Sequence, residues 1–160
     1  MRVSPYAELK EQFSTDFCHG LSMFGALCDE SLEFLLQEGR LCCCDSGDRL
    51  FSLGDFSEKF YIILSGTVRF YQSKEEGGEL VPLREYKVGE QIGFVGMIGL
   101  HQRRGSAVME QPGYVLEVSA ELFHRLCDRF PEAFKIFFIN IAREMSREIS
   151  HLDQMYVEKP

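Results

Sequence analysis

The apolar positions of the chain change period twice. Between residues 5 and 39 they follow helical spacing, with Phe24 and Leu27 leading to Leu32, Leu35 and Leu36 on one face. The run Asp29-Glu-Ser-Leu-Glu33 places acidic side chains in a first turn, which suits a helix N-terminus. From residue 40 to about 118 the apolar runs become short and the period falls toward two. Leu41–Cys44, Arg49–Ser52, Phe60–Leu64, Thr67–Tyr71 and Leu80–Leu83 are strand candidates, punctuated by Gly47, Gly54, Gly66 and Gly89. Strands resume at Ser106–Glu110 and Tyr114–Val118, with Pro112-Gly113 turning between them. Several short strands at regular spacing with turn signals predict an antiparallel sandwich or barrel.

After residue 118 the helical period returns. Ser119 is placed to cap a helix that runs to about Arg129, and Pro131 suits the first turn of the next one. That last helix is expected over about 131–156. Phe138, Ala142, Met145, Ile149, Leu152 and Tyr156 follow a 4-3-4-3-4 spacing along it, the seam of a coiled coil. Phe134, Phe137 and Ile141 widen the stripe. A helix about 39 Å long exceeds what a small barrel can cover, so a two-fold pair of such helices, a homodimer, is expected. Covering the sheet of its own domain is the simpler use of the same stripe. Arg143, Glu144, Arg147 and Glu148 suit a solvated face.

Composition narrows the setting. A chain of 160 residues with 45% apolar residues and fourteen phenylalanines can build one real core. One domain is therefore expected over 1–160, with a helical lead-in at 1–39, a β-roll at 40–118 and C-terminal helices at 119–160. The net charge of −8 disfavours a general DNA surface. No apolar run is long enough to span a bilayer, and Met1–Glu8 has no apolar signal region. A cytoplasmic protein is expected, with no membrane partner.

Cysteine usage agrees with a reducing compartment. The six cysteines are Cys18, Cys28, Cys42, Cys43, Cys44 and Cys127, and none has C-x-x-C spacing for a metal. Adjacent cysteines on a strand point to opposite faces and make a poor disulfide framework. Cys42 and Cys44 would share one face. Small buried hydrophobes are the plain reading, and a thiol sensor the alternative.

The stretch Gly89–Ala107 carries the chemistry. Glycines at 93, 96 and 99 are followed by Arg103, Arg104 and Gly105-Ser106-Ala107. Glycine lets a backbone approach a ligand and turn N–H groups toward an anion. Arginine closes on phosphate with a charge-assisted fork. The same residues also suit a tight loop with a solvated basic tip.

The order of helices, about eight strands around a glycine-rich loop, then two helices resembles the cyclic nucleotide-binding domain. That family is shared by catabolite-activator-type regulators, kinase regulatory subunits and gated channels. The likeness covers about residues 20–156. It rests on Ser22-Met-Phe-Gly-Ala-Leu27, on Gly47-Asp-Arg-Leu-Phe-Ser-Leu-Gly54-Asp, and above all on Phe60-Tyr-Ile-Ile-Leu-Ser-Gly66-Thr-Val-Arg-Phe-Tyr71. Gly89–Gly93 and Ser106-Ala107 bracket its phosphate-binding cassette. The resemblance implies an α+β fold: a double-stranded β-helix, or jelly-roll-like barrel, with N-terminal helices and a long C-terminal helix.

It also implies a ligand, cAMP ahead of cGMP, and a site. Gly93, Phe94, Val95 and Gly96 would form the cassette turn, and Arg104, Ser106 and Ala107 the phosphate side. Two departures stand out. Phe94 occupies the position of the family's ribose-binding glutamate, and no other carboxylate lies between Glu90 and Glu110. Gly105 stands where the arginine falls if Ser-Ala is held fixed, so Arg104 takes that role with a one-residue slip, and Arg103 is its reserve. Glu148 is the candidate base contact, with a solvated glutamate as the plain alternative.

Two functions follow as expectations. One is a regulatory module that binds a cyclic nucleotide or another small anionic effector. It would signal through its last helix to a protein partner the sequence does not name. The other is a degenerate pocket on a dimerisation and interaction platform. The sequence ends at Pro160 without a helix-turn-helix, so a free-standing domain with no DNA contact of its own is expected. A haem- or redox-linked sensor would draw on His19, His101, His124, His151 and Cys42–Cys44. No catalytic residue, metal ligand set or cofactor is expected, and the chain is read as a non-enzyme.

Overall fold

A computed structural model describes residues 1–73 and 78–157. Residues 74–77 and 158–160, the latter closing the expected C-terminal segment, lie outside the described residues. The lead-in contains helices α1 (Tyr6–Gln12), α2 (Thr15–Gly20) and α3 (Asp29–Glu38), with a 3-10 turn at Ser22–Phe24. It opens on a strand the sequence reading missed, β1 (Arg2–Ser4), which pairs with β2 (Arg40–Cys44). Eight strands of the roll follow α3: β2, β3 (Arg49–Phe51), β4 (Lys59–Ile63), β5 (Thr67–Ser73), β6 (Leu80–Tyr86), β7 (Gln91–Ile92), β8 (Ser106–Gln111) and β9 (Gly113–Ser119). A short helix α4 (Phe94–Ile98) interrupts them, and α5 (Ala120–Arg129) and α6 (Pro131–Val157) close the chain.

Among the described residues the strands form two antiparallel sheets rather than one closed barrel. One has the order β1-β2-β9-β4-β7, the other β3-β8-β5-β6. The period-two alternation decides what each face meets. Cys42, Cys44, Tyr61, Ile63 and Val115 point into a core shared with Phe51, Val68, Ala107 and Met109 of the second sheet. Leu41, Phe60, Ile62, Leu116 and Val118 point the other way, into a core shared with the helices. The first sheet is thus covered on both faces. The second carries an ionic outer face, where Arg69 bridges Glu85 at 2.9 Å and Glu110 at 2.8 Å.

The helices dock as their sequences direct. Ser119 caps α5 by accepting from the Leu122 N–H at 3.1 Å, as its position predicted. Pro131 opens α6, where its missing N–H is not needed. On α6, Ala133, Phe137 and Ile141 enter the helix-side core, with Met145 partly buried beside them. Asn140 fastens the same face by donating to the carbonyls of Met23 at 3.2 Å and Gly25 at 2.8 Å. An adjoining stripe of α6 leaves Phe138, Ile149, Leu152 and Tyr156 at 47%, 59%, 55% and 83% exposure.

Candidate functional site

The chain turns from β7 into α4 at Gly93, whose φ of 94° is left-handed backbone that favours glycine. The turn and α4 form one wall of a cavity of about 310 Å³, comparable to small ligand sites. Phe51, Phe70 and Tyr86 give it aromatic walls. Arg84, Arg103 and Arg104 are its cationic lining, and Glu148, His151 and Leu152 of α6 its helical side.

Arg103, the reserve arginine of the sequence reading, is the buried one. Its Nη1 donates to the Gly93 carbonyl at 2.6 Å, its Nη2 donates to the Lys59 carbonyl, and the guanidinium lies 4.2 Å above the Phe51 ring. Its own backbone is tied to the 52–55 turn, with the Arg103 N–H donating to the Asp55 carbonyl at 2.8 Å. Its Nε is buried and has no hydrogen-bond partner among the described residues. Burial lowers its pKa from the ordinary arginine value, because desolvation disfavours the charged form. Arg104 is exposed and reaches the cavity from its rim.

Gly105 cannot carry the missing arginine. A Cβ there would lie 2.3 Å from the Tyr71 carbonyl oxygen and 2.5 Å from Cζ of Phe70. On this side of the cavity the cationic side chains, Arg103 and Arg104, come from the loop that precedes β8.

The remaining expected residues divide into two groups. Phe94, Val95 and Gly96 line the cavity, with Phe94 and Gly96 buried and Val95 half-exposed. The Phe94 ring belongs to the helix-side core. Ser106 and Ala107 stand behind the cavity wall and do not line it. Ser106 Oγ accepts from the Leu53 N–H at 3.0 Å, and Ala107 packs between the sheets. Glu148 lines the cavity and pairs with Arg84.

Arg84 is a charged cavity-lining residue that the sequence reading missed. It lies on β6, 4.3 Å above the Tyr86 ring, and pairs with Glu90 at 2.7 Å as well as with Glu148. Burial, assisted by Glu148, pushes the Tyr86 hydroxyl up to about 12. An arginine on a strand among mixed charges gives no sequence signal; only the fold brings it over the cassette.

Among the described residues the histidines and cysteines form no group that could hold a metal ion. His101 and His151 line the cavity, His19 meets Asp29 at 2.8 Å on the surface, and His124 lies edge-on to Phe123. Cys42 and Cys44 do share a face, buried between the sheets. Burial pushes the Cys44 thiol up to about 12 and raises Cys42 as well, away from thiolate reactivity.

The cyclic nucleotide-binding domain family matches residues 33–130, more than half of the chain. A curated relative, a lysophospholipase of Neurospora crassa, is 27% identical over 116 residues, which are 72% of this chain and 7% of that protein. The chain thus spans only a small part of the curated relatives it matches. Among solved structures, a cyclic nucleotide-binding domain from Methylobacillus flagellatus superposes with a TM-score of 0.84 at 16% identity. The match covers 99% of this chain and 89% of that one. The catabolite activator protein of Thermus thermophilus gives 0.71 at 24% identity, over 84% of this chain and 61% of that one. These likenesses establish the jelly-roll with its C-terminal helix. The chain belongs to the cyclic nucleotide-binding domain family.

Proposed function

We propose that the chain is a regulatory module that binds a cyclic nucleotide, cAMP ahead of cGMP, in the cavity beneath α6 and signals through that helix. The carrying observation is the charge of the lining: Arg84, Arg103 and Arg104 face a cavity whose only lining carboxylate among the described residues is Glu148. A concave site with this balance favours a small anion. The aromatic walls suit a base or sugar face. Phe94 supplies no carboxylate for a ribose hydroxyl. A hydrogen bond to a charged group contributes about 1.5–3 kcal/mol, so affinity is expected to be weaker by roughly ten- to a hundred-fold than in a pocket that has one. Calorimetric titration with cAMP and cGMP tests this. Saturable heat below millimolar cAMP is expected, and none up to that concentration with either nucleotide sinks the proposal.

The function inferred is binding rather than catalysis. The exposed stripe of Phe138, Ile149, Leu152 and Tyr156 supports a homodimer through α6, which an unidentified protein partner would read. All six cysteines are free thiols, which supports a reducing compartment such as the cytoplasm.

A second reading has its own observation. The Arg103 guanidinium is already engaged with the carbonyls of Gly93 and Lys59, and the Phe94 ring is committed to the core. This favours a closed pocket on a dimerisation and interaction platform. A nucleotide retained through purification and seen by mass spectrometry would exclude it.

A further inference from the structure

We propose that Arg84 and Glu148 form an anion-exchange latch: an anionic ligand in the cavity displaces Glu148 from Arg84 and frees the end of α6. The inference rests on the reading of the cavity as an anion site, and adds how occupancy would reach the helix.

The way α6 is held motivates it. Its first half is fixed by apolar burial at Ala133, Phe137 and Ile141 and by Asn140. Beyond the partly buried Met145 the apolar residues Ile149, Leu152, Tyr156 and Val157 are exposed. Around and beyond Met145 the helix meets the roll through polar contacts, Gln91 donating to Glu144 at 2.6 Å and Arg84 pairing with Glu148. An anion cannot compete with buried hydrocarbon, but it can compete with a carboxylate for an arginine.

The two carboxylates on Arg84 are not equally free to leave. Glu90 is held in its turn: its side chain accepts from the Lys87 N–H at 2.6 Å, and its backbone carbonyl accepts from the Ile63 N–H at 3.0 Å. Glu148 sits on the helix face that lines the cavity. A third anion at Arg84 would leave one cation facing three negative groups. The group that departs is the one on the element with the weakest apolar anchorage, Glu148.

The test is hydrogen–deuterium exchange of residues 145–157 in the full chain, for wild type, E148Q and R84M, with and without cAMP. Without ligand, both variants should exchange faster there, by roughly fivefold for a half-buried pair, while β4 and β5 are unchanged. Equal exchange in wild type and E148Q overturns the latch. With cAMP, wild-type exchange over the same residues should rise. Binding that leaves it unchanged or slows it also overturns the proposal. E148Q should bind cAMP more tightly, since the competitor is gone. Weaker binding would make Glu148 a ligand contact instead and sink the latch. Absence of cAMP binding to wild type counts against the nucleotide reading alone, and the ligand-free comparison then decides the latch.

Discussion

Arg103 and Gly93 fit each other closely. The guanidinium Nη1 donates to the Gly93 carbonyl at 2.6 Å, and a Cβ added at residue 93 would lie 2.5 Å from that same nitrogen. The glycine is needed both for its left-handed backbone and to leave room for the arginine. Gly93→Ala is therefore expected to destabilise the domain by about 1–3 kcal/mol, read as a lower urea midpoint with an unchanged slope. Gly54→Ala is the control, because it shares the positive φ but has nothing within 4 Å of its added Cβ. It should cost less than Gly93→Ala.

Arg103 and Arg104 should separate in their roles despite being neighbours. Arg103→Ala removes two charge-assisted bonds and the stack on Phe51, leaving the carbonyls of Gly93 and Lys59 without this donor. A loss of at least roughly 1.5–3 kcal/mol of stability is expected. Arg104→Ala changes an exposed side chain, so stability should stay within about 0.5 kcal/mol. Any cAMP binding seen by calorimetry should nevertheless disappear. If Arg104→Ala binds as wild type does, the phosphate ligand is not Arg104.

The contrast shows which parts of the molecule were legible in sequence. The strands Leu41–Cys44, Phe60–Leu64 and Tyr114–Val118 are legible as short apolar runs because each buries both of its faces, in different cores. The strand β1 was not, because Arg2–Ser4 has only one buried residue and takes its place from pairing with β2. In the site, Gly93 is readable from its place in the glycine-rich run that resembles the family's cassette. The choice between Arg103 and Arg104 depends on how the loop before β8 folds over Phe51, which spacing does not encode. Arg84 lay further out of reach, since its neighbours Glu90 and Glu148 come from different elements.

Phe94 tests whether the ribose site can be restored by one change. Its ring is buried with Met97 against the helix-side core. Phe94→Glu would put a carboxylate into that core, so the variant should lose about 3 kcal/mol or more. Its cAMP affinity, measured well below its melting temperature, should not improve. Tighter binding would show that residue 94 can turn to the cavity.

The buried thiols give the fold an alkaline limit. Burial pushes Cys18 up to about 11 and Cys44 up to about 12, above their ordinary value. In the unfolded chain these thiols lose their protons first, so the unfolded state binds fewer protons and stability falls as pH rises. The contribution is complete below about pH 8.5, the unperturbed thiol value, and is lost progressively from there through pH 11. Urea midpoints should decline over that window, and Cys18→Ala should flatten part of the decline. A flat wild-type profile would contradict it.

The apolar seam of α6 sets the last expectation. Ile149 and Leu152 project from the half of the helix that has least apolar contact with its own domain, at 59% and 55% exposure. If the seam pairs with a second copy, an aspartate at either position places a charge in an apolar interface and leaves the monomer core untouched. Ile149→Asp and Leu152→Asp should each shift sedimentation from dimer toward monomer by at least tenfold in dissociation constant, about 1.4 kcal/mol. Their far-ultraviolet circular dichroism should match wild type at concentrations where both are monomeric. Phe137→Asp is the contrasting case, since Phe137 is fully buried in the domain core; it should unfold the chain rather than dissociate it. A wild-type protein that sediments as a monomer at high micromolar concentration would remove the homodimer and leave the stripe for a different partner.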